Sequence, residues 1–77
     1  SDDVDKIKDA KTYIDHLGVS EKANLAKQIL QYTYSDNPTA TSQMMSMNET
    51  QLAAALDENL DDEALLSIYD HYISTGT

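Results

Sequence analysis

Acidic side chains are most concentrated between residues 57 and 63, where the carboxylates belong to Asp57, Glu58, Asp61, Asp62 and Glu63. Oxygen ligands at alternate positions, as at Asp57, Asn59 and Asp61, are how a calcium-binding loop begins. The pattern then fails, because such a loop needs Gly at its sixth position and Glu at its twelfth. The chain has Asp62 and Ile68 at those positions. We therefore expect no calcium site in this segment.

Two other interpretations of the segment 57–63 stay open. Acids at the start of a helix interact favourably with the positive end of the helix macrodipole, so the segment can be a junction between two helices. The same carboxylates can also form an exposed docking surface for a basic protein, since complementary charge steers two proteins toward each other.

The two histidines, His16 and His71, each follow an aspartate, Asp15 and Asp70. Zinc accepts imidazole nitrogen and carboxylate oxygen, but nothing in the spacing brings the two pairs together. The chain also has no cysteine, which excludes disulfides and thiolate ligands. We expect no metal and no cofactor, and interpret both histidines as residues at helix C-termini, where a basic side chain suits the macrodipole.

Methionine and tyrosine are the candidate apolar contact residues. Three methionines lie close together in the middle of the chain, Met44, Met45 and Met47. An exposed group of this kind often binds proteins because the side chain adapts to irregular surfaces, and a buried group fills a core. Tyrosines allow the same two interpretations. Those of interest are Tyr32, Tyr34, Tyr69 and Tyr72, and we place Tyr69 and Tyr72 with the methionines in a candidate partner-binding set.

Catalytic patterns are missing from the sequence. The only glycines are Gly18 and Gly76, so there is no Gly-rich phosphate loop, and there is no arginine to clamp a phosphate or carboxylate substrate. Carboxylates are plentiful, but on a small helical domain we expect them to be solvated. We therefore predict a protein that is not an enzyme.

The formal net charge of −9 is unevenly distributed along the sequence. Residues 1–27 hold six acids and five lysines, whereas residues 28–77 hold eight acids and no lysine or arginine. Such a charge repels nucleic acid phosphates and anionic membranes, which bind through basic contacts, and attracts a basic protein surface. Solubility alone is the other explanation. No long apolar run and no signal peptide are visible, so we expect a cytoplasmic protein without membrane contact.

Apolar spacing predicts two helices in the first half of the chain. The first covers residues 3–17, with an apolar face formed by Val4, Ile7, Ala10, Ile14 and Leu17. Gly18 would follow it in the left-handed conformation. Ser20 is the predicted N-cap of the second helix, over residues 21–34.

Capping residues divide the second half. Asn37 with Pro38 favours a short helix over residues 39–47, with an ordered loop as the alternative. Asn48 with Gln51 is a capping-box pattern that starts a helix at residue 49 and ends near residue 57. The last helix starts at Asn59 or Asp61 and runs to about residue 74, before Gly76.

We therefore predict an all-α fold, a compact bundle of four to five short helices, in which residues 1–77 form one small acidic domain. The absence of an initial Met leaves open that the chain is a segment of a longer protein. The function that fits is a non-enzymatic interaction module, an adaptor, regulator or inhibitor that binds a basic protein through its acidic surface. It could do so by imitating the phosphate array of DNA. The alternative is a structural domain that assembles or dimerises a larger protein.

Overall fold

The computed structural model describes residues 2–74, which contain five α-helices. They are α1 (Asp2–Asp15), α2 (Val19–Thr33), α3 (Pro38–Met45), α4 (Glu49–Glu58) and α5 (Asp62–Ile68). A π-helical segment, Tyr69–Ile73, continues α5, and residues 2–74 contain no β-strand. The predicted all-α class with short helices is confirmed.

Three helices begin at the capping residues expected from the sequence. The Asn37 side chain accepts a hydrogen bond from the Ala40 N–H, with Pro38 as the first residue of α3. Asn48 and Gln51 form the capping box of α4, because each side-chain oxygen accepts the backbone N–H of the other residue at 2.8 and 3.0 Å. The Asp61 carboxylate accepts the Ala64 N–H at 2.8 Å and so starts α5. These side chains satisfy donors that have no partner within the helix itself.

The junction between α1 and α2 differs from the prediction. Gly18 is extended, with φ −77° and ψ 175°, rather than left-handed, and it is itself the N-cap of α2. The Gly18 N–H donates to the Glu21 carboxylate at 3.2 Å, so the helix starts two residues earlier than expected. Ser20 is not a cap, because its hydroxyl donates instead to the Glu49 carboxylate at 2.7 Å.

The last helix changes its geometry at Ile68. The predicted continuous helix to about residue 74 is α-helical only to Ile68, and the Ser74 N–H then bonds to the Tyr69 carbonyl, five residues earlier. That spacing defines a π-helical turn, which is rare and usually a single turn inside or at the end of an α-helix. The predicted stop at Gly76 lies outside the described residues.

The chain folds as two compact units. Unit 1 contains residues 2–17 and 60–74, so α1 packs against α5 and the π-helical segment. Its core is formed by Ala10, Ile14, Leu65 and Ile68. Val4 was expected on this face but is 62% exposed. Residues three apart on an α-helix point about 60° away from each other. Val4 lies two such steps before Ala10, so it points about 120° away from Ala10 and out of the core.

Unit 2 contains residues 18–59, and in it α2 packs against both α3 and α4. The buried side chains of this unit are apolar and come from all three helices: Ala23, Leu25, Ala26, Leu30, Met44, Leu52, Ala53 and Leu56. At the edge of this core, the Lys22 ammonium lies 3.5 Å from the Asp57 carboxylate. The expectation that residues 1–77 form a single domain stays a prediction.

The helices of residues 2–74 include none with the length and apolar character that crossing a bilayer requires.

Candidate functional site

The acidic segment 57–63 is divided between the two units. Asp57 and Glu58 form the C-terminal end of α4 in unit 2, and Asp61 caps α5 in unit 1, where Asp62 and Glu63 form the first turn. The backbone of this segment is therefore a junction between two helices, as one of the two interpretations predicted. That the same carboxylates form a docking surface stays a prediction.

The carboxylates of this segment differ in what they contact. Asp57 pairs with Lys22, and the Asp61 carboxylate bonds to the Ala64 N–H. Glu58 is exposed and lies at the end of a helix whose last turn contains no basic residue. Acids at that end face the negative pole of the macrodipole, so Glu58 is in an electrostatically unfavourable position.

Sorting the charges by structural unit changes the distribution that the sequence suggested. Residues 2–17 and 60–74, which make up unit 1, hold nine acids and three lysines, whereas residues 18–59 hold five acids and two lysines. Residues 1–27 are nearly neutral as a sequence segment. In the fold, however, α1 belongs to the more acidic unit. All fourteen acids of the chain are exposed.

Lysines neutralise little of this charge within the described residues. The single ion pair between a lysine and a carboxylate in residues 2–74 is Lys22–Asp57, in unit 2. In unit 1, the Lys6 ammonium lies 5.7 Å from the centroid of the Tyr69 ring, and so it contacts an aromatic face rather than a carboxylate. Within residues 2–74, the carboxylates of unit 1 are therefore exposed and none is ion-paired with a lysine.

Three of the unit 1 acids are ordered in a row along α1. Asp2, Asp5 and Asp9 are separated by three and four residues, which places them beside one another on one side of a helix. Lys6 and Lys8 flank this row at the same spacings, and neither forms an ion pair with it. We call Asp2, Asp5 and Asp9 the α1 acidic row. The spacing is visible in the sequence, but the candidate partner-binding set does not include these acids.

The three candidate methionines do not share one environment. Met44 belongs to the core of unit 2 and is only 5% exposed, Met47 is half-buried, and Met45 is 76% exposed. Helical geometry explains the difference between the neighbours, because consecutive residues point about 100° apart around the axis. Of the three side chains, Met45 is the one most available for contact with another molecule.

The two candidate tyrosines pack within unit 1. The ring of Tyr72 stacks on that of Tyr13, with centroids 6.3 Å apart and planes 23° from parallel. Tyr69 contacts Lys6, and both Tyr69 and Tyr72 are half-buried. The most exposed tyrosine is Tyr32, at 86%, near the end of α2.

The histidines have matching local contacts near helix ends. The Nδ1 of His16 lies 2.7 Å from the Thr12 carbonyl oxygen, and that of His71 lies 2.9 Å from the Ser67 carbonyl oxygen. A carbonyl oxygen only accepts, so Nδ1 is the protonated nitrogen in both rings. No group of three or more histidine or acidic side chains within residues 2–74 is arranged to hold a metal ion.

Comparison with protein-family models, with curated proteins and with solved structures gives no significant match to this chain.

Proposed function

We propose that the protein is a non-enzymatic interaction module and that the acidic surface of unit 1 binds a basic protein. The observation that carries this proposal is the ratio of nine exposed acids to three lysines in unit 1. Such a surface costs stability through mutual repulsion of its charges. A partner with lysine and arginine side chains would relieve that repulsion and be attracted over several ångströms before contact.

The proposal places the first contacts at two sets of carboxylates in unit 1. One is the α1 acidic row, Asp2, Asp5 and Asp9, and the other is the start of α5, where Asp61, Asp62 and Glu63 are exposed. Five of these six residues are aspartates, whose short side chains lose less conformational entropy than long flexible side chains when they pair with a partner.

A nucleic-acid-binding protein is one class of partner that fits. Such a protein presents lysine and arginine in positions that meet phosphates at regular intervals. Helix-mounted carboxylates are an alternative array of negative charge, so the protein would act by occupying the DNA-binding surface. Competition separates this class from other basic partners, because added duplex DNA would displace the protein from a DNA-binding partner.

Two matched double variants test the proposal. Asp5→Asn with Asp9→Asn removes two charges from the α1 acidic row, and Asp36→Asn with Glu58→Gln removes two charges from unit 2. A partner is first captured with the full chain at low salt and purified, and its Kd for each form is then measured. We expect the unit 1 variant to bind at least about threefold more weakly, since exposed charge pairs contribute up to about 1 kcal/mol each.

The control variant carries the same net charge, and so it shows whether location matters. Equal weakening by both variants would contradict a specific surface on unit 1, and an unchanged Kd in both would contradict charge-directed binding altogether. Circular dichroism of each variant checks that its helices are retained.

A further inference from the structure

Unit 2 contains a surface segment that is nearly free of charge. Residues 28–48, from the second half of α2 through α3, contain one charged side chain, Asp36, in a protein in which 25% of residues are charged. The remaining side chains are mainly hydroxyl, amide, tyrosine and methionine groups. The low charge and the tyrosine and methionine content match interface cores, where charged residues are depleted while tyrosine and methionine are enriched.

Two large apolar side chains project from this segment. Tyr32 on α2 is 86% exposed and Met45 on α3 is 76% exposed, more than any other large apolar side chain in residues 2–74. A shallow open depression lies on α3, lined by Pro38, Thr39, Ser42, Gln43 and Ser46. The segment thus offers both projecting apolar groups and a recess of hydroxyl and amide groups.

The turn between α2 and α3 is well held by hydrogen bonds. The Tyr34 carbonyl accepts the Asn37 N–H and the Thr41 hydroxyl, both at 2.9 Å, and the Tyr34 N–H donates to the Leu30 carbonyl at 2.8 Å. Because these bonds fix the angle at which α3 leaves α2, a partner would meet an ordered surface and lose less entropy on binding.

We propose that the α2–α3 surface, formed by the exposed side chains of residues 28–48, is where two copies of the chain associate. Two molecules of net charge −9 repel each other where their carboxylates face, so this repulsion is least when they meet through a surface that lacks charge. Hydroxyl and amide groups both donate and accept hydrogen bonds, so this surface is complementary to itself. In a two-fold dimer, Tyr32 of each copy would lie against α3 of the other, and each contact would occur twice.

Sedimentation equilibrium of the full chain over a concentration series tests this association. The variants are Tyr32→Ala and Met45→Ala, which remove the projecting groups, and Ser42→Glu, which places a carboxylate in the centre of α3. Val4→Ala is the matched control, because Val4 is also exposed on a helix but belongs to unit 1. Alanine favours helix at each site.

We expect a reversible dimer that Tyr32→Ala weakens by about tenfold or more, as is usual for an aromatic residue central to an interface. Ser42→Glu should leave a monomer, and Val4→Ala should behave as the native chain. If Tyr32→Ala loses its helical signal, Met45→Ala and Ser42→Glu decide the question. A native chain that is monomeric to about 1 mM would overturn the proposal. So would a dimer that these variants leave intact, or one that Val4→Ala disrupts equally.

Salt distinguishes this association from the binding proposed above. Added salt screens the repulsion between two acidic copies and should strengthen the dimer or leave it unchanged. The same salt weakens attraction to a basic partner. The two proposals therefore fail independently: the Asp5→Asn and Asp9→Asn double variant should leave the dimer intact, and a dimer that this variant disrupts overturns the α2–α3 assignment.

Discussion

Two acids four residues apart are predicted to affect stability with opposite signs. Glu58 is the last residue of α4 and Asp62 is the first residue of α5, and both are exposed. The carboxylate of Glu58 faces the negative end of a macrodipole, and that of Asp62 faces a positive end. Glu58→Gln should therefore stabilise the protein, and Asp62→Asn should destabilise it.

The structure sets the size of this effect. At exposed sites, a charge near a helix end contributes about 0.3–1 kcal/mol. Each variant removes one negative charge, so both change the net charge of the chain equally, and the opposite positions of the two acids at helix ends set the sign of the difference between them. We expect that difference to be about 0.6–2 kcal/mol, or about 2–16 °C in Tm for a domain of this length.

Thermal and urea unfolding, followed by circular dichroism at low and at high salt, measures the difference. The difference in free energy of unfolding between the two variants should be smaller at high salt, because salt screens exposed charges. If both variants change the Tm by the same amount and in the same direction at low salt, the assignment of a helix end and a helix start within residues 57–63 is refuted.

Three further predictions concern the elements that hold each unit together. Asn48→Ala should lower the free energy of unfolding by about 0.5–2 kcal/mol, measured by urea unfolding, because the capping box of α4 is lost; no change would show that this box is not formed in solution. Leu52→Ala should cost about 2–5 kcal/mol, since Leu52 is buried in unit 2, while Met45→Ala should cost far less; comparable losses in the same assay would contradict the assigned burial. The stacked pair Tyr13 and Tyr72 should show a coupling of about 0.5–1.5 kcal/mol in a double-mutant cycle to leucine, and additive effects would argue against the stack.

Local patterns predicted most of the helices because the signals for them are short-range. Asn37 with Pro38 and Asn48 with Gln51 satisfy backbone donors within three residues of themselves, so a reader of the sequence can identify them. Gly18 was harder to interpret, since a glycine between two helices can end the first or start the second. The donor that settles it is the Gly18 N–H, which bonds to Glu21.

Long-range pairing explains what the sequence did not reveal. Nothing in residues 1–17 specifies that α1 packs with α5 rather than with its neighbour in sequence, and the charge of each surface depends on that pairing. Counting charges along the chain assigned the acidity to residues 28–77. In the fold, the N-terminal acids join those at the start of α5 in unit 1.

The candidate site was predictable by residue type and less so by exposure. All five acids of the segment 57–63 are exposed, as expected. Among the methionines, exposure separates Met45 from Met44, although both are the same residue type at adjacent positions. Which of two neighbouring side chains faces the core depends on the phase of the helix against its packing partner, and that phase is a property of the folded unit.

The most direct measurement of the central claim is the dependence of partner binding on salt. With a purified basic partner, Kd is measured for the full chain across a series of salt concentrations from low to above physiological. If the carboxylates of unit 1 carry the interaction, affinity falls steeply as salt rises, and the Asp5→Asn and Asp9→Asn double variant has a shallower slope. A flat salt dependence, with the same slope for both forms, would contradict an interaction directed by the acidic surface.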